Sequence, residues 1–229
     1  MAIPLYLAMS SVEFSGCLHF PPYPAWMSCH FSPSGPGLSN LPAELPGGCL
    51  LILDDRLPPA GHDLQRIRRE LLEIVESRNC AGLLLDFQRP EDPETAMIAQ
   101  ELLTLPCPVC ISNTYAPDTC PVLVPPCPLT VPLQEYLAPW RGREIWLEVT
   151  PDSSCFCVTE KGCQAVASSQ DLQHLHYDPE LFCHYSIETE LDGLRFSLCR
   201  SKGDILDLLQ AAENFGVTAA IGLYQELTP

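Results

Sequence analysis

The 229-residue sequence is poor in positive charge: 12 lysines and arginines stand against 29 aspartates and glutamates, a formal net charge of -17. A field of that sign repels nucleic-acid phosphates and anionic lipid headgroups, so neither is expected as a partner. Long apolar runs are missing too. No stretch reaches the roughly 18 residues of a membrane-spanning helix, and the start, Met1-Ala-Ile-Pro-Leu-Tyr-Leu-Ala-Met, lacks the basic region that opens a secretion signal. The expected compartment is the cytoplasm. Nor is there a dense, even cysteine framework: the 13 cysteines are odd in number and scattered from Cys17 to Cys199, which excludes a small disulfide scaffold and fits reduced thiols. Cys107-Pro-Val-Cys110 has redox or zinc spacing, but Cys120 with Cys127, or Cys155 with Cys157, makes a poor second pair, and no metal is expected there. Others, as in Cys49-Leu-Leu-Ile-Leu, read as core filler.

What the sequence does have is the composition of a folded globular chain, 46% hydrophobic and 18% charged. Its 24 prolines are about twice the usual share. They gather in 21–46, 89–93 and 106–132 and separate one element from the next. Eight short apolar runs, at 3–9, 25–31, 49–54, 81–86, 108–113, 121–124, 144–149 and 217–224, read as strands. Their continuity, as in Gly82-Leu-Leu-Leu85, suits strands buried on both faces of a parallel sheet. Helical spacing runs from Asp63 to Arg78, with Leu64, Ile67, Leu71, Ile74 and Val75 on one face. Further helices are expected from Asp92, with Pro93 at the first helical position, to before Pro106, over Leu133–Leu137, and from Ser201 to Asn214-Phe-Gly216.

This alternation predicts an α/β fold, a trimmed (β/α)8 TIM barrel forming one domain over 1–229. Helices after the first two strands must be short or absent, because 10–24 and 32–48 are rich in Pro, Gly and Ser. The stretch 155–199 breaks the rhythm and is expected as an insertion after the seventh strand. It contains two hairpins, Cys155–Val166 turning at Lys161-Gly162 and Cys183–Cys199 turning at Asp192-Gly193.

In such a barrel the functional residues sit where the strands stop. Those positions hold His30, Asp54, Asp55, Asp86, Gln88, Asn113, Glu148, Tyr224 and Glu226. Carboxylates interleaved with aromatics fit sugar chemistry, in which paired acids serve as proton donor and nucleophile or base. Taken singly, each of these residues is more often the cap of a loop or helix.

The run Cys80-Ala81-Gly82-Leu83-Leu84-Leu85-Asp86-Phe87-Gln88-Arg89-Pro90 resembles the fourth-strand signature of family 18 glycoside hydrolases, the chitinase-like proteins: Asp-Gly-x-Asp-x-Asp-x-Glu. Gly82, Asp86 and Phe87 match. The later order, Asp192–Cys199, a helix over 201–216 and a final strand through Gly222-Leu-Tyr-Gln-Glu226, is also similar to the family, with Tyr224 or Gln225 at its usual Trp position. An inserted α+β element after the seventh strand is shared by many members, including bacterial spore-cortex hydrolases, which implies a bacterial setting. In the family the last Glu of the signature protonates the glycosidic oxygen, and the Asp two residues earlier orients the substrate's N-acetyl group. This chain has Gln88 in the acid's place, Ala81 and Leu84 for the first two acids, and no Tyr-Asp pair within Val122-Leu-Val-Pro-Pro126. A carboxamide donates a hydrogen bond but delivers no proton at neutral pH, and general acid catalysis is commonly worth ~10²- to 10⁴-fold.

The resemblance therefore implies a degenerate, noncatalytic member that binds a glycan or another small polar ligand at the strand ends. Asp86 and Gln88 would stand at the former catalytic positions, with Asp54 and Tyr224 among the contacts. The alternative is an active glycosidase with recruited carboxylates, Asp54 or Asp55 paired with Glu148 or Glu226. A third reading, a metal held by His30, Asp54 and Asp86, lacks a second nearby histidine. No cofactor is expected.

Overall fold

The computed structural model describes residues 2–58, 61–166 and 175–228. Eight parallel strands close on themselves: β1 (Leu5–Met9), β2 (Pro24–Phe31), β4 (Leu50–Asp54), β5 (Gly82–Asp86), β6 (Val109–Ser112), β7 (Val122–Val124), β8 (Ile145–Glu148) and β14 (Val217–Leu223). Each pairs with the next in sequence order, and β1 pairs with both β14 and β2, which completes the expected (β/α)8 barrel. A two-residue strand, β3 (Leu38–Ser39), lies antiparallel on the end of β2.

Alternation along the strands sorts the core into layers. Leu50, Ile52, Leu84, Cys110, Leu123, Trp146, Ala219 and Ile221 fill the barrel interior. Their neighbours Leu51, Leu53, Leu83, Leu85 and Ile111 point outward against Ile67, Leu71 and Ile74 of α2 (Leu64–Ser77) and Ile98 and Leu102 of α3 (Pro93–Leu102). On the other side Val122, Ile145, Leu147 and Val217 meet Leu133 and Leu137 of α4 (Leu133–Leu137) and Ile205, Leu208 and Leu209 of α5 (Lys202–Ala212). Both faces of the strands are buried, which is why the sequence shows continuous apolar runs.

The helices start where the caps stand. Asp63 Oδ1 accepts the Gln65 and Arg66 amides, and Asp92 Oδ1 accepts those of Glu94 and Thr95. Ser201 and Asp204 form a capping box, and Gly216, at φ +89°, ends the segment that follows α5 in the left-handed region open to glycine. After β1 the helix is short, as expected: α1 (Ser11–Gly16). It is capped by Ser10 and Glu13, and the Ser-x-x-Glu spacing was its signal. No helix separates β2 from β4 or β6 from β7 among the described residues, the proline-rich parts of the chain.

Between β8 and α5 lies the insertion, a five-stranded antiparallel sheet ordered β10-β9-β13-β12-β11. Its strands are β9 (Asp152–Thr159), β10 (Gly162–Val166), β11 (His176–Asp178), β12 (Cys183–Glu190) and β13 (Gly193–Arg200). Both expected hairpins exist, each displaced by one residue. Thr159 pairs with Gly162 across Glu160-Lys161, and Glu190 pairs with Gly193 across Leu191-Asp192, so each glycine is the first strand residue after its turn. The hairpins join through β9 and β13, and that pairing reaches Asp152 and Arg200, past the apolar limits read from the sequence. Part of the expected insertion, 167–174, lies outside the described residues.

The buried Arg200 guanidinium ties this sheet to the barrel by donating to the Cys127 carbonyl, and within the insertion it donates to the carbonyls of Leu181 (2.7 Å) and Phe182 (3.1 Å). His184 Nδ1 lies 3.2 Å from Asp204 Oδ2 at the start of α5.

Candidate functional site

Parallel register places three site residues in one row at the strand ends: His30 on β2 is opposite Asp54 on β4, and Asp54 is opposite Asp86 on β5. Asp54 lies two residues beyond Ile52, Asp86 two beyond Leu84 and Glu148 two beyond Trp146, so all three face the barrel axis. They open into a cavity of about 260 Å³ at the mouth, to which Glu226, Arg56 and Thr150 also contribute. Its wall is apolar, including Ala8, Met27, Leu123, Ile221 and Leu223.

Each carboxylate has a different surrounding. Asp54 is buried and pairs through Oδ2 with Arg56 Nε at 3.1 Å, while its Oδ1 accepts the Arg56 amide. Asp86 Oδ1 accepts the Gln88 side-chain amide at 2.5 Å. Burial pushes the Asp86 carboxyl above its ordinary value; the Gln88 hydrogen bond opposes this, and the charges of Asp54 and Asp55 add to it. Glu148 is raised as well, by burial first and then by the charges of Asp86 and Glu226. Glu226, in the short α6 (Tyr224–Leu227), accepts the Thr150 hydroxyl at 2.8 Å. The cluster can accept several hydrogen bonds and hold a proton on Asp86 or Glu148 more readily than free carboxylates would.

The other expected site residues stand elsewhere. Asp55 is buried, and its two oxygens take the backbone amides of Gln88 (2.8 Å) and Arg89 (3.0 Å). It stands one residue past the end of β4 and fixes the loop after β5. Gln88 is exposed at the rim and meets the site only through Asp86, so it shares the Asp86 face without lining the cavity. Asn113 is exposed, because β6 ends one residue earlier, and its amide donates to the Leu123 carbonyl. Tyr224 turns outward with the start of α6 and packs against the outer core, leaving Leu223 on the cavity wall.

His30 stands behind the cavity, its Nδ1 3.8 Å from Asp54 Oδ2 and its Nε2 3.0 Å from Asn40 Nδ2. The buried Nδ1 has no hydrogen-bond partner and faces Asp54 beyond hydrogen-bond distance. Among the described residues no three His, Cys, Asp or Glu side chains converge as a metal-ligand group, His30, Asp54 and Asp86 included. All 13 cysteines are unpaired, Cys107 and Cys110 among them.

The expected aromatic interleaving is corrected too. Among the described residues no aromatic side chain lines the cavity. The barrel's aromatic pair, Tyr6 stacked on Trp146 with centroids 5.6 Å apart and planes 9° apart, sits one layer deeper, below Ala8 and Glu148. The sequence reading also missed Arg56 and Thr150. Arg56 had a signal, as the first basic residue after the third barrel strand. Thr150 had none, since it becomes part of the mouth only through Glu226.

No protein-family model matches the sequence, and no curated protein sequence matches it. Solved structures do. A family 18 glycoside hydrolase N-acetylglucosaminidase from Paenibacillus barengoltzii superposes with a TM-score of 0.61 at 9% identity, over 98% of this chain and 97% of that one. The chitinase-like agglutinin RobpsCRA from Robinia pseudoacacia gives 0.61 at 11% identity, over 98% and 95%. A family 18 chitinase from Cycas revoluta, a mutant solved in complex with (GlcNAc)4, gives 0.58 at 11%, over 96% and 94%. At such identities the likeness speaks for the fold alone. The fold of this chain is that of the family 18 chitinases and chitinase-like proteins.

Proposed function

We propose that this chain is a noncatalytic chitinase-like barrel that binds a carbohydrate or similar small polar ligand at its mouth. The observation that carries this reading is the Gln88 amide on Asp86. Where the resemblance calls for a carboxylic acid beside Asp86, the chain has a group that donates a hydrogen bond and transfers no proton. The cavity beside it supports ligand binding: it stands at the strand C-terminal ends, where barrels of this class gather their functional groups. Solved relatives in fold include an agglutinin and a chitinase bound to (GlcNAc)4, which makes carbohydrate the first class to test. We place the function in the reducing cytoplasm, where thirteen unpaired cysteines persist as thiols. The whole chain acts as one domain, with the 152–200 sheet as its insertion.

A second reading is favoured by one observation, the raised Glu148 carboxyl. A glutamic acid whose carboxyl is raised by burial and neighbouring charge is shifted in the direction a general acid requires. Asp54, paired with Arg56, would then be its partner, since both oxygens of Asp55 are held by backbone amides.

Ligand-observed NMR with mono- and disaccharides tests binding. Saturation transfer to a sugar that weakens in Asp86→Asn supports the proposal. Absence of transfer from any neutral or charged sugar overturns it.

A further inference from the structure

The mouth cavity is unbalanced in charge. Asp54, Asp86, Glu148 and Glu226 face it, against a single guanidinium, Arg56. Arg56 is already engaged: its Nε pairs with Asp54, and its side chain is 65% exposed toward the rim. Thr150 serves Glu226 and Gln88 serves Asp86. Among the described residues no side chain or backbone group donates to the Glu148 carboxylate, although it is half-buried at the cavity wall.

The cavity therefore has acceptors in excess, and among the described residues its free side-chain donors are the Nη groups of the largely exposed Arg56. A half-buried carboxylate is costly unless paired with a donor or an opposite charge, so the occupant that best completes this site brings both. An ammonium group carries three N–H donors and a positive charge. An acetamide carries one N–H donor and no charge, and its carbonyl has the Arg56 Nη groups, exposed toward the rim, as its available side-chain donors. Hydroxyls, which donate and accept, suit the remaining lining groups, Thr150 and the Asp54–Arg56 pair.

We propose that the mouth selects a ligand with a primary ammonium group on a sugar-sized hydroxylated frame, a free amino sugar over its N-acetylated counterpart, and that Glu148 is the ammonium's main acceptor. This rests on the reading of the mouth as a ligand site and adds the charge of what enters it. The small volume limits the occupant to about one ring, because drug-sized ligands fill cavities of roughly 300–1,000 Å³. Without a lining aromatic, recognition rests on charge and hydrogen bonds rather than on stacking.

The test is a calorimetric titration of the full chain with glucosamine, N-acetylglucosamine and methyl glucoside at low salt. Glucosamine is expected to bind at least about tenfold tighter than the other two, equivalent to about 1.4 kcal/mol. Glu148→Gln should reduce its affinity to theirs, while Glu160→Gln, on an exposed hairpin turn of the inserted sheet and outside the cavity lining, should leave it unchanged. Equal or tighter binding of N-acetylglucosamine overturns the selectivity and leaves the mouth a ligand site. Equal losses in Glu148→Gln and Glu160→Gln overturn it as diffuse attraction by a chain of net charge -17. Binding of none of the three sugars overturns both the selectivity and the ligand-site reading.

Discussion

The carboxylates at the barrel mouth and the carboxylate of Asp204, where the inserted sheet meets α5, are the same functional group shifted in opposite directions. At the junction, burial pushes Asp204 up, but hydrogen bonds from the Ser201 amide and hydroxyl and from His184 outweigh it, and the carboxyl ends below its ordinary value. At the mouth, burial and neighbouring negative charge win, and Asp86 and Glu148 end above theirs. Donors decide the difference. A carboxylate surrounded by N–H and O–H groups is part of the architecture, whereas one left short of donors at a cavity wall is available to something else. Asp92 belongs with the first group: Thr95, through its hydroxyl and then its amide, holds it low.

The largest test of this contrast lies beside the junction. Arg200→Met would leave the carbonyls of Cys127, Leu181 and Phe182 without their donor and loosen the sheet from the barrel. A loss of about 3 kcal/mol is expected, roughly 6–12 °C in Tm for a chain of this size, read by thermal denaturation. Asp204→Ala should cost about 1–2 kcal/mol, the usual value of a helix cap. Because its folded carboxyl is depressed, the stability Asp204 contributes is present above the unfolded value near 3.8 and lost as pH falls through the folded one. The gap between wild type and Asp204→Ala should therefore narrow in acid.

At the mouth the sign reverses. A raised carboxyl destabilises the folded state once pH exceeds the unfolded value of about 4.5, so removing the charge should help. Glu148→Gln is expected to raise Tm by about 2 °C at pH 7, and the gain should vanish near pH 4. A fall in Tm at pH 7 would mean that Glu148 is already paired and would erase the contrast. The smallest effect is expected from Gln88→Glu. It restores an acid at the rim, but Ala81 and Leu84 still stand where the family pattern has its first two acids. Reporter turnover should be weak or absent in a sensitive fluorogenic assay.

The barrel was legible because its strands are buried on both faces: apolar runs such as Leu50–Leu53 and Leu83–Leu85 have few other uses. The site was legible only in part. Strand ends identified Asp54, Asp86 and Glu148, and each faces the mouth because it stands two residues beyond an inward Ile52, Leu84 or Trp146. Asp55, one residue past β4, instead holds the backbone amides after β5. Asn113 and Tyr224 were misplaced for the same reason. Each stands one residue past its strand, where the next turn sets the direction of the side chain. The state of Glu148 depends on the charges of Asp86 and Glu226, from distant segments of the chain, and no local pattern encodes it.

The central claim, that the fold has been kept without the family's reaction, is tested most directly by the wild-type protein with a chromogenic N-acetylglucosaminide. The account predicts no release above the uncatalysed rate, in wild type and in Gln88→Ala alike, because no proton donor stands at the rim beside Asp86. Turnover by the wild type that disappears in Asp54→Asn or Glu148→Gln, but survives Gln88→Ala, would contradict it and make the mouth carboxylates an active site.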